Sequence, residues 1–229
     1  MLDGYKILQI SDLHIDVKTS YEEIKNLIHQ VNQTTCDMLV ITGDILDCNV
    51  KKIKEKLYLF KNLKHNSFYV SGNHDLVHGY HELNTLMKKC NIQLLDNRYE
   101  IIKYKKQDII LAGLSDKFSN FFKIQRHEKE LTQEIKKSNL PKIFLAHQPK
   151  DYIHAQNAQS DIFLCGHTHG GQIYPFNYLV RLVQPFVSGL YYHKNLAIYV
   201  NNGLGAWGIK YRFFVNSEIT ILNFTNHEI

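Results

Sequence analysis

Five short apolar runs in this chain each stop on side chains able to bind a metal ion. Lys6 to Ile10 leads into Asp12 and His14, and Met38 to Thr42 into Asp44. Phe68 to Val70 leads into Asn73-His74-Asp75, Ile143 to Ala146 into His147, and Ile162 to Cys165 into His167 and His169. Apolar runs this short, bounded by polar turn residues, read as strands buried on both faces. Between the first three lie helix-like stripes. Ile24, Leu27, Ile28 and Val31 follow a capping box of Ser20 and Glu23; Ile53, Leu57, Phe60 and Leu63 form the next stripe, and Leu83, Leu86, Met87 and Cys90 the third. This βαβα alternation predicts an α/β fold whose parallel strands are covered by helices. In such sheets the carboxyl ends of the strands open onto one crevice, so the five clusters are expected to meet.

The second half is richer in strands. Tyr99 to Tyr104 and Ile109 to Ala112 read as a hairpin, Glu128 to Asn139 as a polar helix, and Ala197 to Val200 and Ile219 to Leu222 as closing strands. The apolar stretch 176–187 contains Pro185 and fits neither period, which predicts an irregular loop packed into the core. No Pro/Gly/Ser-rich linker or internal repeat divides the chain, so residues 1–229 are expected to form a single domain.

Composition narrows the function. Hydrophobic residues make up 44% and charged residues 21%, which excludes a disordered or low-complexity chain. No apolar run approaches the roughly 20 residues needed to cross a bilayer. A formal charge of +5 favours anionic ligands but does not mark a nucleic-acid binder, and no stable nucleic-acid complex is expected. The 4 cysteines, Cys36, Cys48, Cys90 and Cys165, are scattered without a CxxC pair and read as free thiols in a reducing, cytoplasmic setting. The 13 histidines are the unusual figure.

Carboxylate, imidazole and amide donors without cysteine suit Mn²⁺, Zn²⁺ or Fe²⁺ and argue against a structural zinc site. Asp12-x-His14 and His167-x-His169 are expected to present two ligands on one side of an extended segment. Gly43, Gly72 and Gly166 precede ligand positions, where close backbone approach is required. Gly170-Gly171 are expected to leave room for an anionic ligand. Asp44 is a candidate bridge between two cations. Each piece alone has an ordinary reading as a solvated loop or turn. Their joint occurrence, in this order and each at a strand end, is what carries the argument.

The series Asp12-x-His14, Gly43-Asp44, Gly72-Asn73-His74-Asp75, His147 and Gly166-His167-x-His169 resembles the complete motif set of the calcineurin-like metallophosphoesterases. That resemblance implies a four-layer αββα sandwich holding two divalent metal ions, with Mn²⁺ the first expectation. It implies Asp12, His14 and His169 on one metal, Asn73, His147 and His167 on the other, and Asp44 between them. His74 would be the catalytic histidine and Asp75 its orienting partner. Two cations about 4 Å apart acidify a bridging water and clamp phosphoryl oxygens, so the implied reaction is attack of a metal-bridging hydroxide on a phosphoester.

A narrower resemblance lies in His167-Thr168-His169-Gly170-Gly171-Gln172, Tyr199-Val200 and Gly203-Leu204-Gly205, which is similar to the YkuE/YaeI-like branch. That branch implies membrane-anchored relatives, some cleaving UDP-2,3-diacylglucosamine, and therefore either a naturally soluble protein or a part of an anchored one. The leading substrate is a phosphodiester or pyrophosphate bond, with a lipid-linked nucleotide as one form. A general phosphodiesterase on small soluble or nucleic-acid substrates, and a metal-holding binding module without turnover, are the rivals. Phe118, Phe121, Phe122 and 176–187 have two readings: core packing of irregular loops, which is the expectation, or an acyl-chain or membrane-surface contact beside the metals. Outside the motif series, His78 and His81 are candidates to line a pocket. Asp47 and Asn49 would support Asp44 or simply start a helix, and Asp116 would reach the site edge or sit in an ordinary loop.

Overall fold

A computed structural model describes residues 3–225. Two sheets face each other. The first is built from β1 (Lys6–Ile10), β2 (Met38–Thr42), β3 (Ser67–Val70), β4 (Ile92–Leu94) and β11 (Thr220–Asn223) in the order β11-β1-β2-β3-β4. The second contains β5 (Arg98–Tyr104), β6 (Gln107–Gly113), β7 (Lys142–Leu145), β8 (Ile162–Cys165), β9 (Gly189–His193) and β10 (Leu196–Val200) in the order β5-β6-β7-β8-β10-β9. β1 through β4 run parallel, as do β6, β7, β8 and β10; β11, β5 and β9 pair antiparallel at the edges.

The period of two along each strand sends alternate side chains into different cores. Ile7, Met38, Val40, Phe68, Val70, Ile143, Leu145, Ile162 and Leu164 fill the space between the sheets. Their neighbours Leu8, Ile10, Leu39, Ile41 and Tyr69 meet α1 (Tyr21–Gln33) and α3 (Asn73–Lys89) on the outer face of the first sheet. Phe144, Phe163 and Cys165 meet α4 (Glu128–Lys136) and α5 (Tyr152–Asn157) on the outer face of the second. Three cores between four layers give the αββα sandwich, and they explain why these strands read as unbroken apolar runs.

Local chemistry agrees with most of the expected elements. Ser20 accepts from the Glu23 N–H at 3.1 Å and the Glu23 carboxylate accepts from the Ser20 N–H, so the capping box starts α1. The Ile53 stripe is broken: one α-helical turn, α2 (Lys54–Leu57), sits between two 3₁₀ turns at Val50–Lys52 and Tyr58–Asn62, though Ile53, Leu57 and Phe60 are all buried.

Two apolar segments depart from expectation. Phe176–Val183 is a helix, α6, and not an irregular loop. It is also not core, because Leu179, Leu182 and Val183 stand exposed; core packing holds only at the end of the segment, where Phe186 packs against the third core and Val187 is buried. The sequence period was obscured because the helix is only eight residues long, and its apolar surface faces outward. Phe118, Phe121 and Phe122 lie on an exposed 3₁₀ turn, with Phe121 81% exposed, so core packing is overturned there too. Strands β4 and β9, which the apolar pattern did not mark, are edge or near-edge strands with mixed burial.

Candidate metal centre

The carboxyl ends of β1, β2 and β3 in one sheet and of β7 and β8 in the other deliver their ligand residues to one end of the sandwich. Ligand atoms of Asp12, His14 and His169 lie within 4.8 Å of one another, and so do those of Asp44, His147 and His167. The Asp44 Oδ2 stands 3.7 Å from His14 Nε2 and 3.2 Å from His147 Nε2, so a single oxygen faces a histidine of each group. Asn73 occupies the first position of α3, in the wall of the same cavity, and its buried Oδ1 has no hydrogen-bond partner.

The backbone route to this convergence differs from the expected one. Asp12, His14, Asp44, His167 and His169 all adopt left-handed backbone, with φ between +45° and +73°. An extended segment would have used strand alternation; here each residue after the strand end turns sharply and aims its side chain inward. Left-handed backbone costs a non-glycine residue on the order of 1 kcal/mol, and its clustering at ligand positions is typical of sites held in place by their surroundings. Those surroundings are visible. The Asp12 N–H donates to Gly43 O at 3.0 Å, the His14 N–H to Asp44 O at 3.1 Å, and the His167 N–H to Asp12 Oδ2 at 3.0 Å.

Two glycines are required by close approach. A Cβ on Gly166 would strike the Ser11 hydroxyl and the Asp12 carboxylate, and one on Gly72 would strike Asp44. Gly170 and Gly171 do not leave room for an anion as expected: side-chain atoms of Asn202 and Val215 pack against the first, and Asn177 against the second.

The nitrogens are oriented from behind. His147 Nδ1 donates to Thr42 O at 2.8 Å, which leaves Nε2 facing Asp44. His14 Nδ1 stands 3.4 Å from the Asp47 carboxylate, leaving Nε2 facing His169 Nε2 at 3.0 Å. The Arg212 guanidinium stands 3.0 Å from His169 Nδ1 and donates to the carbonyls of Asn202 and Gly203, tying His169 to the loop beyond β10. The backbone N–H of His74, in the first turn of α3, donates to Asp44 Oδ1 at 2.8 Å, so the positive end of the helix supports that carboxylate.

Electrostatics shows a site that demands positive charge. Burial opposes ionisation of Asp44, yet His147 and His14 beside it hold the carboxyl well below the usual range. Burial likewise opposes charging His147, but Asp44, Asp12 and Asp116 push it well above the ordinary imidazole value. Burial and the neighbouring imidazoles lower His167 to about 3, so it keeps a lone pair for coordination. Burial lowers His169 to about 4 against the pull of Asp12. Divalent cations answer the same demand and displace the proton that His147 would otherwise hold. The unpartnered Asn73 oxygen, the facing imidazole nitrogens and the buried carboxylates together fit two hard-to-borderline cations.

His74 is placed in the cavity wall, but Asp75 is not beside it. The Asp75 carboxylate points into the protein and accepts from the Leu46 and Gly72 N–H groups, each at 3.0 Å. Burial and the nearby Asp44 carboxylate raise it to about 7. The carboxylate facing His74 Nδ1, at 3.0 Å, is Asp47, which also meets Lys210 Nζ at 2.6 Å. Helical geometry explains the correction: adjacent positions such as 74 and 75 diverge by about 100° around the axis, so they cannot face each other. The sequence signal for Asp47 is a second carboxylate three residues beyond Asp44. His78 lies near His74, with ring centroids 5.9 Å apart. His81 instead borders a separate hollow with Lys51, Lys54 and Lys89. Asp116 is buried and accepts from Gln148 Nε2 at 2.7 Å.

A cavity of about 750 Å³ opens over the metal-capable residues. It is lined by His14, Asp44, Asn73, His74, His167 and His169, and also by Leu179, Val180 and Val183 of α6 together with Trp207 and Ile209. Phe118, Phe121 and Phe122 are not among its lining residues. Gln172 shapes the mouth: its Nε2 donates to Trp207 O and Ile209 O, and its Oε1 accepts from the Trp207 N–H.

The calcineurin-like phosphoesterase family model matches residues 5–171, which contain every ligand position above. The chain belongs to the calcineurin-like phosphoesterase family. This family member is 37% identical over 223 residues to an uncharacterized metallophosphoesterase of Helicobacter pylori, an alignment covering 95% of this chain and 59% of that protein. It is 30% identical over 233 residues to a Danio rerio protein named transmembrane protein with metallophosphoesterase domain, covering 96% and 53%. It is also 29% identical over 231 residues to the metallophosphoesterase YkuE of Bacillus subtilis, covering 96% and 78%. The chain therefore spans less than two thirds of the H. pylori and D. rerio proteins. Among solved structures, TT1561 of Thermus thermophilus shares the fold with a TM-score of 0.58 at 11% identity, over 87% of this chain and 90% of that one. Among the described residues no helix is long and apolar enough to cross a membrane.

Proposed function

We propose that this calcineurin-like phosphoesterase hydrolyses a phosphodiester or pyrophosphate bond in an amphipathic substrate, with a lipid-linked nucleotide such as UDP-2,3-diacylglucosamine as the leading form. The observation that carries this reading is the mixed lining of the cavity. Metal-capable residues and aliphatic and indole side chains line the same space, which suits a charged phosphoester joined to an acyl chain. Asp12, His14 and His169 would hold one metal and Asn73, His147 and His167 the second, with Asp44 shared. Mn²⁺ is the first ion to test, because mixed oxygen and imidazole donors accept it readily. Bound there, two divalent cations supply Lewis-acid charge for the phosphoryl oxygens and make water a nucleophile at neutral pH.

The chain's own residues do the rest. His74 has Nδ1 against Asp47, which leaves Nε2 as the nitrogen that serves a substrate oxygen. There it stabilises developing charge on the phosphoryl group or donates a proton to the leaving oxygen. Leu179, Val183, Trp207 and Ile209 give the cavity an apolar lining that excludes water and selects an apolar substituent. The test is UMP release from UDP-2,3-diacylglucosamine by the Mn²⁺-loaded protein, compared with cleavage of a small chromogenic diester. Faster turnover of the acylated substrate is expected. Cleavage of the diester alone would keep phosphoester hydrolysis and discard the acyl chain.

A further inference from the structure

The surface around the cavity mouth is chemically unlike the rest of the molecule. Among the described residues 22 large hydrophobic side chains stand exposed, and 10 of them fall in just two segments, 174–183 and 207–214. The two segments form one patch. The Tyr174 N–H donates to Phe213 O at 3.1 Å, and the Tyr174 ring lies 5.9 Å from Tyr178 and 6.2 Å from Phe214. Leu182 at the outer side of α6 is 81% exposed and Phe214 is 83% exposed, and neither lines the cavity. Contiguous apolar surface on this scale marks an interaction site.

The charge around the patch says what it meets. From Ile162 to Ser217 the chain contains no Asp or Glu, although it carries 22 of them elsewhere. The same stretch holds Arg181, Lys194, Lys210 and Arg212. Lys210 is paired with Asp47 and Asp16, and Arg212 is turned inward to backbone carbonyls. Lys194, in the turn before β10, lies at the end of the sheet away from the metal centre, so Arg181 is the exposed cation of the patch, with its guanidinium 5.8 Å from the Tyr178 ring. Tyrosine and tryptophan around aliphatic tips, with a free arginine and with the adjacent Asp16 and Asp47 neutralised by Lys210, is the composition of a membrane–water interface. A second copy of this chain would present the same two segments, which carry no Asp or Glu, and its nearby Asp16 and Asp47 are already paired with Lys210, so it would offer no free carboxylate to Arg181.

We propose that this face docks the protein on an anionic lipid bilayer. Leu182 and Phe214 enter the headgroup–acyl boundary, the Tyr and Trp rings sit at headgroup level, and Arg181 meets lipid phosphates. Leu179, Val183, Trp207 and Ile209 belong both to this face and to the cavity, so a lipid passes from bilayer to metal centre without crossing water. The Phe118–Phe122 turn is outside this face and takes no part.

The purpose assigned to docking rests on the acylated-substrate reading; the docking itself is measured without turnover. The full chain is sedimented with vesicles of phosphatidylglycerol in phosphatidylcholine and with pure phosphatidylcholine. Pelleting with the anionic vesicles, weakened by salt, is expected. Leu182→Ser/Phe214→Ser should lower the partition coefficient by about 100-fold while chromogenic diester turnover is unchanged. Phe121→Ser, equally exposed but off the face, should pellet as the parent does. Failure of the parent to pellet overturns the proposal, as does equal pelleting of the double variant. A concentration-dependent dimer abolished by the double variant, with no pelleting, assigns the face to a second copy and overturns it too. Pelleting without UMP release would sink only the acylated substrate.

Discussion

Replacing Asp47 by Asn tests whether the orienting carboxylate of His74 has been identified correctly. Asp47 Oδ1 stands 3.0 Å from His74 Nδ1 and 3.4 Å from His14 Nδ1, while Oδ2 meets Lys210 at 2.6 Å. Asn preserves size but removes the charge and puts an amide N–H₂ where one oxygen stood. Loss of such an outer carboxylate costs about 10- to 100-fold in activity or metal affinity, or roughly 1.4 to 2.7 kcal/mol in the transition state. The stability effect should be smaller. Lys210 is part-exposed and keeps Asp16 at 3.4 Å, so the lost pair contributes at most about 1 kcal/mol, or roughly 2–4 °C in Tm. The assay is steady-state cleavage of a chromogenic diester, with metal content by mass spectrometry and melting by calorimetry. A fall in kcat at unchanged metal content is expected. Asp47 also backs His14, so the comparison is made at saturating metal; there, because Asp47 acts on the chemical step through His74, Asp47→Asn/His74→Asn should be no slower than His74→Asn. Independent, multiplying losses in the double variant would refute the dyad, and full activity of Asp47→Asn would refute any role.

Other consequences are equally direct. Gly166→Ala drives a methyl into Ser11 and Asp12, so it should lower metal content and activity together in a chain that still folds, read by metal analysis and circular dichroism. Asn73→Ala removes the unpartnered oxygen and should leave about one metal per chain where the parent binds two; retention of both would remove Asn73 from the ligand set. Chelation should lower Tm, because five left-handed ligand residues then lose the ions that offset their strain of order 1 kcal/mol each; an unchanged Tm in metal-free protein would contradict this. Phe144→Ala, in the core between the second sheet and its helices, should cost about 3–5 kcal/mol, or roughly 6–20 °C in Tm, without changing metal stoichiometry.

Much of the scaffold is legible along the chain because its strands obey local rules. A strand such as Met38–Thr42 buries both faces, so every residue is apolar, and the abrupt change to Gly43-Asp44 marks both its end and its ligand. The Ser20–Glu23 box and the Leu83, Leu86, Met87 and Cys90 stripe are equally local. The aromatic face was not legible. Hydrophobic patterning reports that a side chain avoids water in some state; it does not say whether protein or another phase provides the shelter. That is why Phe121 and the residues of α6 read as core while the structure leaves them outside.

The sequence by itself determined, through periodicity, an α/β fold of helix-covered parallel strands and which residue types stand at the strand ends, while the order of motifs carried the family resemblance and the αββα layering that it implies. Only the tertiary structure decided how they act on one another. Asp47, not Asp75, faces His74, because a pairing between a loop and a helix depends on where two distant backbones cross. The ligand pairs of the first and last motifs aim inward through left-handed backbone that Gly43 O, Asp44 O and the Asp12 carboxylate hold in place, and none of these partners is within a few residues of all the groups it positions. The cavity's apolar wall joins α6 to a loop about 30 residues later. Contacts between distant segments carry no local signature, so their geometry exists only once the sheets have packed.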